Sequence, residues 1–313
     1  MTAQAGEGTV GAAGSTHVRG RRFNATPYLF ILPHLVFFAA FLGWPFFFGI
    51  YTSLFQFNFA RPERNVFIGL QNYINLFDPG SIQFTAFWRS MLNTVEFIAW
   101  SLPPLVVGAI LLAVLLNGRY PGRNLFRTVF FAPYTLSVTA AAVLWWWIFQ
   151  PRGGLLNQFL GGAGIQGPNW LSTMPEAWIA ITICTVWWTI GFNTVILLAA
   201  LQEIPKELYE AGAIDGANAP QRFRHITLPM LRPVLVLVIT ITLIASANLF
   251  GQPFIMTEGG PLQQTEPIMF RIYNEGIQRQ QVGSAAAMSI FVASVLLVLT
   301  ALNFRFFGQR ETR

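Results

Sequence analysis

Lysine and cysteine are all but missing from this sequence: Lys206 and Cys184 are the only residues of their kinds among 313. A single cysteine excludes an internal disulfide and any cysteine-based metal cluster. The lone lysine stands between Pro205 and Glu207, so the chain has no G-x-x-x-x-G-K-[ST] loop and cannot hold ATP by that device. Charge is scarce too, with 10% Asp, Glu, Lys and Arg against roughly 25% in soluble domains. The 18 arginines are scattered through the connections and form no nucleic-acid-binding face. What fills the chain instead is apolar: 54% hydrophobic residues, 30 of them Phe. That composition is an integral membrane protein's.

Crossing a bilayer takes about 20 mainly apolar residues, and six stretches qualify: 28–53, 91–116, 126–149, 177–201, 233–256 and 285–304. Glu96 is the one clear charge inside them. The expected fold is an all-α membrane domain of six transmembrane helices over 25–313, after a disordered Gly/Ala-rich tail over 1–24. The first span is too long for a signal-peptide core and is expected to be retained. Thirteen Lys and Arg fall on the side of the two termini and of the 117–125 and 202–232 loops, and six on the other. The positive-inside rule therefore places both termini in the cytoplasm. Trp145, Trp146 and Trp147 fall close to the outer end of the third span, where an aromatic belt is expected.

The 202–232 loop is too polar to be a span. Pro205 and Glu207 suit a helix start, and Gly216 suits a helix end. Asn218 can cap a second short helix, which tolerates Pro220 early and is expected to close at Leu228-Pro229. The product is helix, bend, helix, with small residues from Ala211 to Ala217 that let another surface approach closely.

The order of residues in this loop carries a resemblance. Glu210-Ala211-Gly212, Asp215-Gly216-Ala217 and Ile226-Thr227-Leu228-Pro229 resemble the EAA loop of ABC importer permeases, with Gly212 where the pattern has Ala. Phe67-Ile68-Gly69-Leu70-Gln71-Asn72-Tyr73, Asn93-Thr94, the Thr257–Thr265 turn around Gly259-Gly260-Pro261, and Tyr273, Gly283 and Ala285-Ala286 are similar to the carbohydrate-uptake branch, the maltose-type and glycerol-phosphate-type inner-membrane subunits. The resemblance implies a non-catalytic pore subunit in a bacterial or archaeal cytoplasmic membrane. It would work with a second homologous permease, a dimeric ABC ATPase that binds the ATP and Mg, an extracytoplasmic sugar-binding protein and membrane lipid, with no nucleic acid and no metal of its own. It further implies that Glu210, Ala211, Gly212, Asp215, Gly216, Leu228 and Pro229 couple to the ATPase.

A path for cargo requires polar and aromatic residues at helical spacing inside spans. Thr182, Thr185, Thr189 and Asn193 recur at steps of three or four in the fourth span, beside Trp188 and Phe192. The fifth offers Thr242, Ser246, Asn248 and Gln252. By resemblance the substrate path is assigned to Trp188, Phe192, Ser246 and Asn248, with the amides Asn193 and Gln252 added on their cost in a bilayer. The threonines serve equally well as glue between helices. Aromatic faces and neutral amides suit a neutral sugar, with a glycerol-phosphate ester as the alternative. An ion-coupled carrier would need intramembrane acid–base groups, and Glu96 alone is available.

Overall fold

The computed structural model describes residues 26–307 apart from positions 60, 62, 64 and 119. The tail expected over 1–24, and Arg310 and Arg313, lie outside the described residues. The chain divides into two units at Phe48 and Gly49. In the first, α1 (Thr26–Phe38) passes through a wide turn at Ala39–Gly43 into α2 (Trp44–Ser53), whose last residues open the second unit. Leu29–Ser53 is long and apolar enough to cross a membrane.

The second unit opens on a small antiparallel ribbon, β1 (Phe55–Gln56) against β2 (Val66–Phe67), then α3 (Gln71–Phe77) and the 36-residue α4 (Ile82–Asn117). Ser81 caps α4 by accepting from the Phe84 N–H at 3.1 Å, and Arg127 donates to the Leu116 carbonyl at its far end. The other single-helix spans are α8 (Glu176–Glu203) and α14 (Val282–Phe307). The apolar stretch Ala219–Met256 runs through α10 (Ala219–Arg222), α11 (Leu228–Ala247) and α12 (Gly251–Met256). Ala109, Ala113 and Leu116 of α4, Leu197 and Leu201 of α8, and Leu231 and Val238 of α11 form the central core.

Two expectations need correction. The third span is not one rod: α5 (Arg123–Phe131) with its terminal 3₁₀ turn meets α6 (Val138–Ile148) at 99°. Pro133 lacks the N–H that would continue the helix; Leu136 is extended, and Ser137 starts a new helix by accepting from the Ala140 N–H. Nor does Leu228-Pro229 close the second short helix of the loop. The Leu228 N–H reaches five residues back to the Phe223 carbonyl, and this wide turn over Phe223–Thr227 admits Pro229 into the first turn of α11, where its missing N–H is harmless.

The remaining sequence motifs meet one another. Asn93 on α4 donates to the Gln263 and Glu266 carbonyls at 2.8 and 3.0 Å, and Thr94 accepts from the Ile268 N–H. The turn they hold is sharply bent, with Glu258, Leu262 and Gln263 all at positive φ. Within it Thr265 bonds Thr257 and the Gly260 carbonyl. Asn72 likewise donates to the Ser53 and Phe55 carbonyls. Gly283 lies against that corner so closely that a Cβ would stand 2.0 Å from the Phe55 oxygen.

Candidate functional site

Two regions stand out on the helices that carry the core. The first is the bend below α8. Helix α9 (Lys206–Ile214) begins after Pro205 and carries Glu207 in its first turn. It ends with Gly216 at φ +79°, where the Gly216 N–H bonds the Ala213 carbonyl and the Ala217 N–H the Gly212 carbonyl. That pair of bonds is a Schellman ending. Asn218 and Gln221 then cap α10 reciprocally, each side chain accepting from the other's backbone N–H at 3.0 and 2.8 Å. A hydrogen bond of 2.9 Å between Tyr209 and Thr227 ties the two arms together. The bend is therefore fixed by its own local bonds.

Glu210, Ala211, Asp215 and Gly216 are exposed on this bend, as is Ile214 at 87%. Ala211, Gly212, Asp215 and Gly216 border a shallow groove of about 520 Å³, with Glu210 outside it. Gly212 faces α10, and a Cβ there would meet the Ile226 Cδ1 at 3.0 Å. Leu228 and Pro229 lie in the first turn of α11 and do not border the groove.

The second region is a cavity of about 400 Å³ among α4, α8 and α11, and every residue assigned to the substrate path lines it: Trp188, Phe192, Asn193, Ser246, Asn248 and Gln252. Of the threonines, Thr185, Thr189 and Thr242 line it while Thr182 does not. Asn193 donates to Thr242 at 2.9 Å, and Ser246 bonds Ser101 across to α4 at 3.1 Å. Asn248, where α11 ends, donates to the Ile244 carbonyl.

Backbone interruptions frame this cavity. One is the 248–250 gap between α11 and α12; the other is the corner between α5 and α6. They face each other, since a Cβ on Gly251 would stand 2.8 Å from Val138. Trp188 donates its indole N–H to the Leu136 carbonyl freed at the corner, at 3.1 Å. The corner also delivers Tyr134, which stacks on Phe192 with ring centroids 4.8 Å apart. Non-helical backbone at membrane depth persists only inside protein or beside a cavity. Phe250, beside the polar residues of the fifth span in the sequence, lines the space too, as do Tyr134 and Phe97; those last two were missed in the sequence. The proline–serine spacing at 133–137 is the signal that leads to Tyr134. Glu96 stands exposed on α4, outside the lining.

Residues 82–310 match the family described as the binding-protein-dependent transport system inner membrane component. The probable ABC transporter permease protein YurN of Bacillus subtilis is 34% identical over 292 residues, which cover 91% of this chain and 97% of YurN. The arabinooligosaccharides transport system permease protein AraP of the same organism is 33% identical, covering 91% and 90%. The sn-glycerol-3-phosphate transport system permease protein UgpA of Yersinia pestis is also 33% identical, covering 91% and 94%. A solved bacterial alginate ABC transporter, in complex with an alginate pentasaccharide-bound periplasmic protein, contains a similar chain at TM-score 0.77 and 26% identity, covering 92% and 95%. The chain therefore belongs to the inner-membrane components of binding-protein-dependent transport systems, the permeases of ABC transporters.

Proposed function

We propose that the chain is one of two homologous pore subunits of an ABC importer that carries a neutral sugar into the cytoplasm. ATP and Mg²⁺ bind a separate ATPase pair, and an extracytoplasmic binding protein delivers the cargo. Both termini and the 202–232 loop lie in the cytoplasm, where Glu210, Ala211, Gly212, Asp215 and Gly216 meet the ATPase; Leu228 and Pro229 act from the root of α11. The observation that carries the cargo assignment is the cavity's chemistry. None of its 18 lining residues is charged at neutral pH, and it presents rings, hydroxyls and amides. Aromatic faces suit the C–H surfaces of a sugar, while amides and hydroxyls suit its hydroxyl groups. The names of the relatives span an arabinooligosaccharide, alginate and a phosphate ester, so the neutral-cargo reading rests on the lining rather than on the names.

The test is uptake into proteoliposomes holding the complete transporter, using labelled neutral mono-, di- and trisaccharides and labelled sn-glycerol 3-phosphate. ATP-dependent uptake of a neutral saccharide, not competed by the ester, is the expected result. Uptake of the ester alone would overturn the neutral cargo. Uptake by this polypeptide without an ATPase would replace the ABC mechanism with an ion-coupled one.

A further inference from the structure

The connection between the third and fourth spans holds a short helix, α7 (Leu155–Gly162), whose two faces differ. On the inner face, Leu156 packs on the cluster of Phe149, Leu171, Ala180, Cys184 and Met256. Ala180 and Cys184 lie one and two turns into α8, about 6 and 12 Å along its axis. Helix α7 is thus held level with the beginning of a membrane span.

Its attachment is firm. Asn157 donates to the Pro151 and Pro168 carbonyls and accepts from the Trp170 indole N–H at 2.8 Å. Gly167 is pressed so close that a Cβ would stand 2.0 Å from the Asn157 Oδ1. A Schellman ending fixes the turn into Ile165, with the Gly164 N–H on the Gly161 carbonyl and the Ile165 N–H on the Leu160 carbonyl.

The outer face has no such cover. Phe159 is 71% exposed and Ile165 55%, with Leu155 beside them. Between Arg152 and Glu176 there is no Asp, Glu, Lys or Arg. Just before it, at the end of α6, Trp146 and Trp147 are half-exposed, as residues at a membrane–water boundary are. The rim of a surface that docks a soluble protein is polar and wet; this segment is bordered by the aromatic pair Trp146 and Trp147. Neutral polar side chains (Gln158, Gln166, Asn169) and bare apolar ones instead match a helix lying in the interface plane, its apolar side sunk about 5–10 Å into the lipid boundary.

We propose that α7 and Ile165 form an interfacial anchor seated in the outer leaflet, with Phe159 and Ile165 as the inserted side chains. This rests on the proposed sidedness only for the choice of leaflet. The test uses the full chain, assembled with its co-purifying subunits, in vesicles of phosphatidylcholine and phosphatidylglycerol. On a Cys184→Ala background, single nitroxide labels are placed at F159C, I165C and, as an aqueous reference, R152C. Accessibility to oxygen and to a water-soluble nickel chelate is then read at each. The oxygen-to-nickel ratio at 159 and 165 is expected to exceed that at 152 severalfold, with mobile spectra. Ratios equal to that at 152 would overturn the proposal by placing the face in water. Immobilised labels closed to both relaxers would overturn it by placing a protein partner there. Two independent positions keep the reading available if one variant fails to assemble. Sugar uptake, measured separately, stands or falls without reference to this result.

Discussion

Individual residues set how closely the helices approach, and the glycines divide by what a methyl group would strike. A Cβ on Gly191 of α8 would stand 2.1 Å from the Phe130 carbonyl oxygen and 2.9 Å from the Phe131 Cα. Backbone cannot swing aside, so Gly191→Ala must push α5 off α8, costing about 1–3 kcal/mol or more. Gly212→Ala meets only flexible side-chain atoms, the Ile226 Cδ1 closely and the Arg222 stem at ordinary contact distance, and gains up to about 1 kcal/mol of helix propensity, so it is expected to be nearly neutral. Thermal unfolding of the two purified variants separates them; equal losses would refute the packing argument. A second pair concerns charge. Arg271, on α13 (Ile268–Tyr273), and Glu275 form a 3.0 Å ion pair with side chains 2% and 3% exposed. Burial pulls the Arg271 guanidinium below its ordinary pKa and the Glu275 carboxylate pushes it back up. A lowered value for a cation means that burying its charge costs stability at every pH below that value. Arginine stays protonated throughout the working range, so this cost is constant and gives no pH switch. Glu275→Gln, which leaves the buried cation only the weaker attraction of Glu266, is expected to destabilise by up to about 3–5 kcal/mol. A melting temperature unchanged from wild type would refute this.

At the scale of elements, the corner in the third span makes the cavity what it is. Trp188→Phe keeps a ring at the cavity wall but removes the donor from the solvent-accessible Leu136 carbonyl, a loss of about 0.5–1.5 kcal/mol for a single hydrogen bond. Trp187→Phe provides the comparison, since Trp187 contributes a ring edge to Trp145. The first variant is expected to unfold at lower temperature and import more slowly, the second to stay near wild type; the reverse order would remove the corner's role. This corner also marks the limit of what the residues disclosed in advance. Span positions were legible because twenty apolar residues announce themselves whatever surrounds them. The bend was not, because a window that long averages away Pro133 and Ser137. The bend of the loop was legible in detail, since Gly216 and Asn218 end and start helices by local bonds. Its continuation into α11 was not: Pro229 reads as a stop, and a wide turn that bypasses the stop has no residue code. Asn193 and Ser246 could be placed by helical spacing, whereas Tyr134 and Phe97 reach the same cavity from other elements, which spacing along one helix cannot reveal.

For the whole molecule, the arrangement that matters is that the loop's two arms are the ends of the cavity's two walls. Helix α8 carries Trp188, Phe192 and Asn193 and reaches α9 through Ile204 and Pro205 alone. From the other arm, α10 leads without a gap through Phe223–Thr227 into α11, which carries Thr242 and Ser246. A force applied at the bend therefore reaches the cavity through helical backbone, provided the bend itself does not yield. Gly216 tests this condition. At φ +79° a β-branched side chain costs about 1–2 kcal/mol, enough to loosen the Schellman ending while the spans, held by their own core, stay folded. In the reconstituted transporter, Gly216→Val is expected to leave the complex in the membrane with ATP still hydrolysed and sugar uptake lost. Glu210→Ala, on the same exposed surface, is expected to act alike without disturbing the backbone. Uptake per ATP hydrolysed is the quantity to measure. If both variants import at the wild-type ratio, the bend is not the lever, and the link between ATPase and cavity has to run through some other part of the chain.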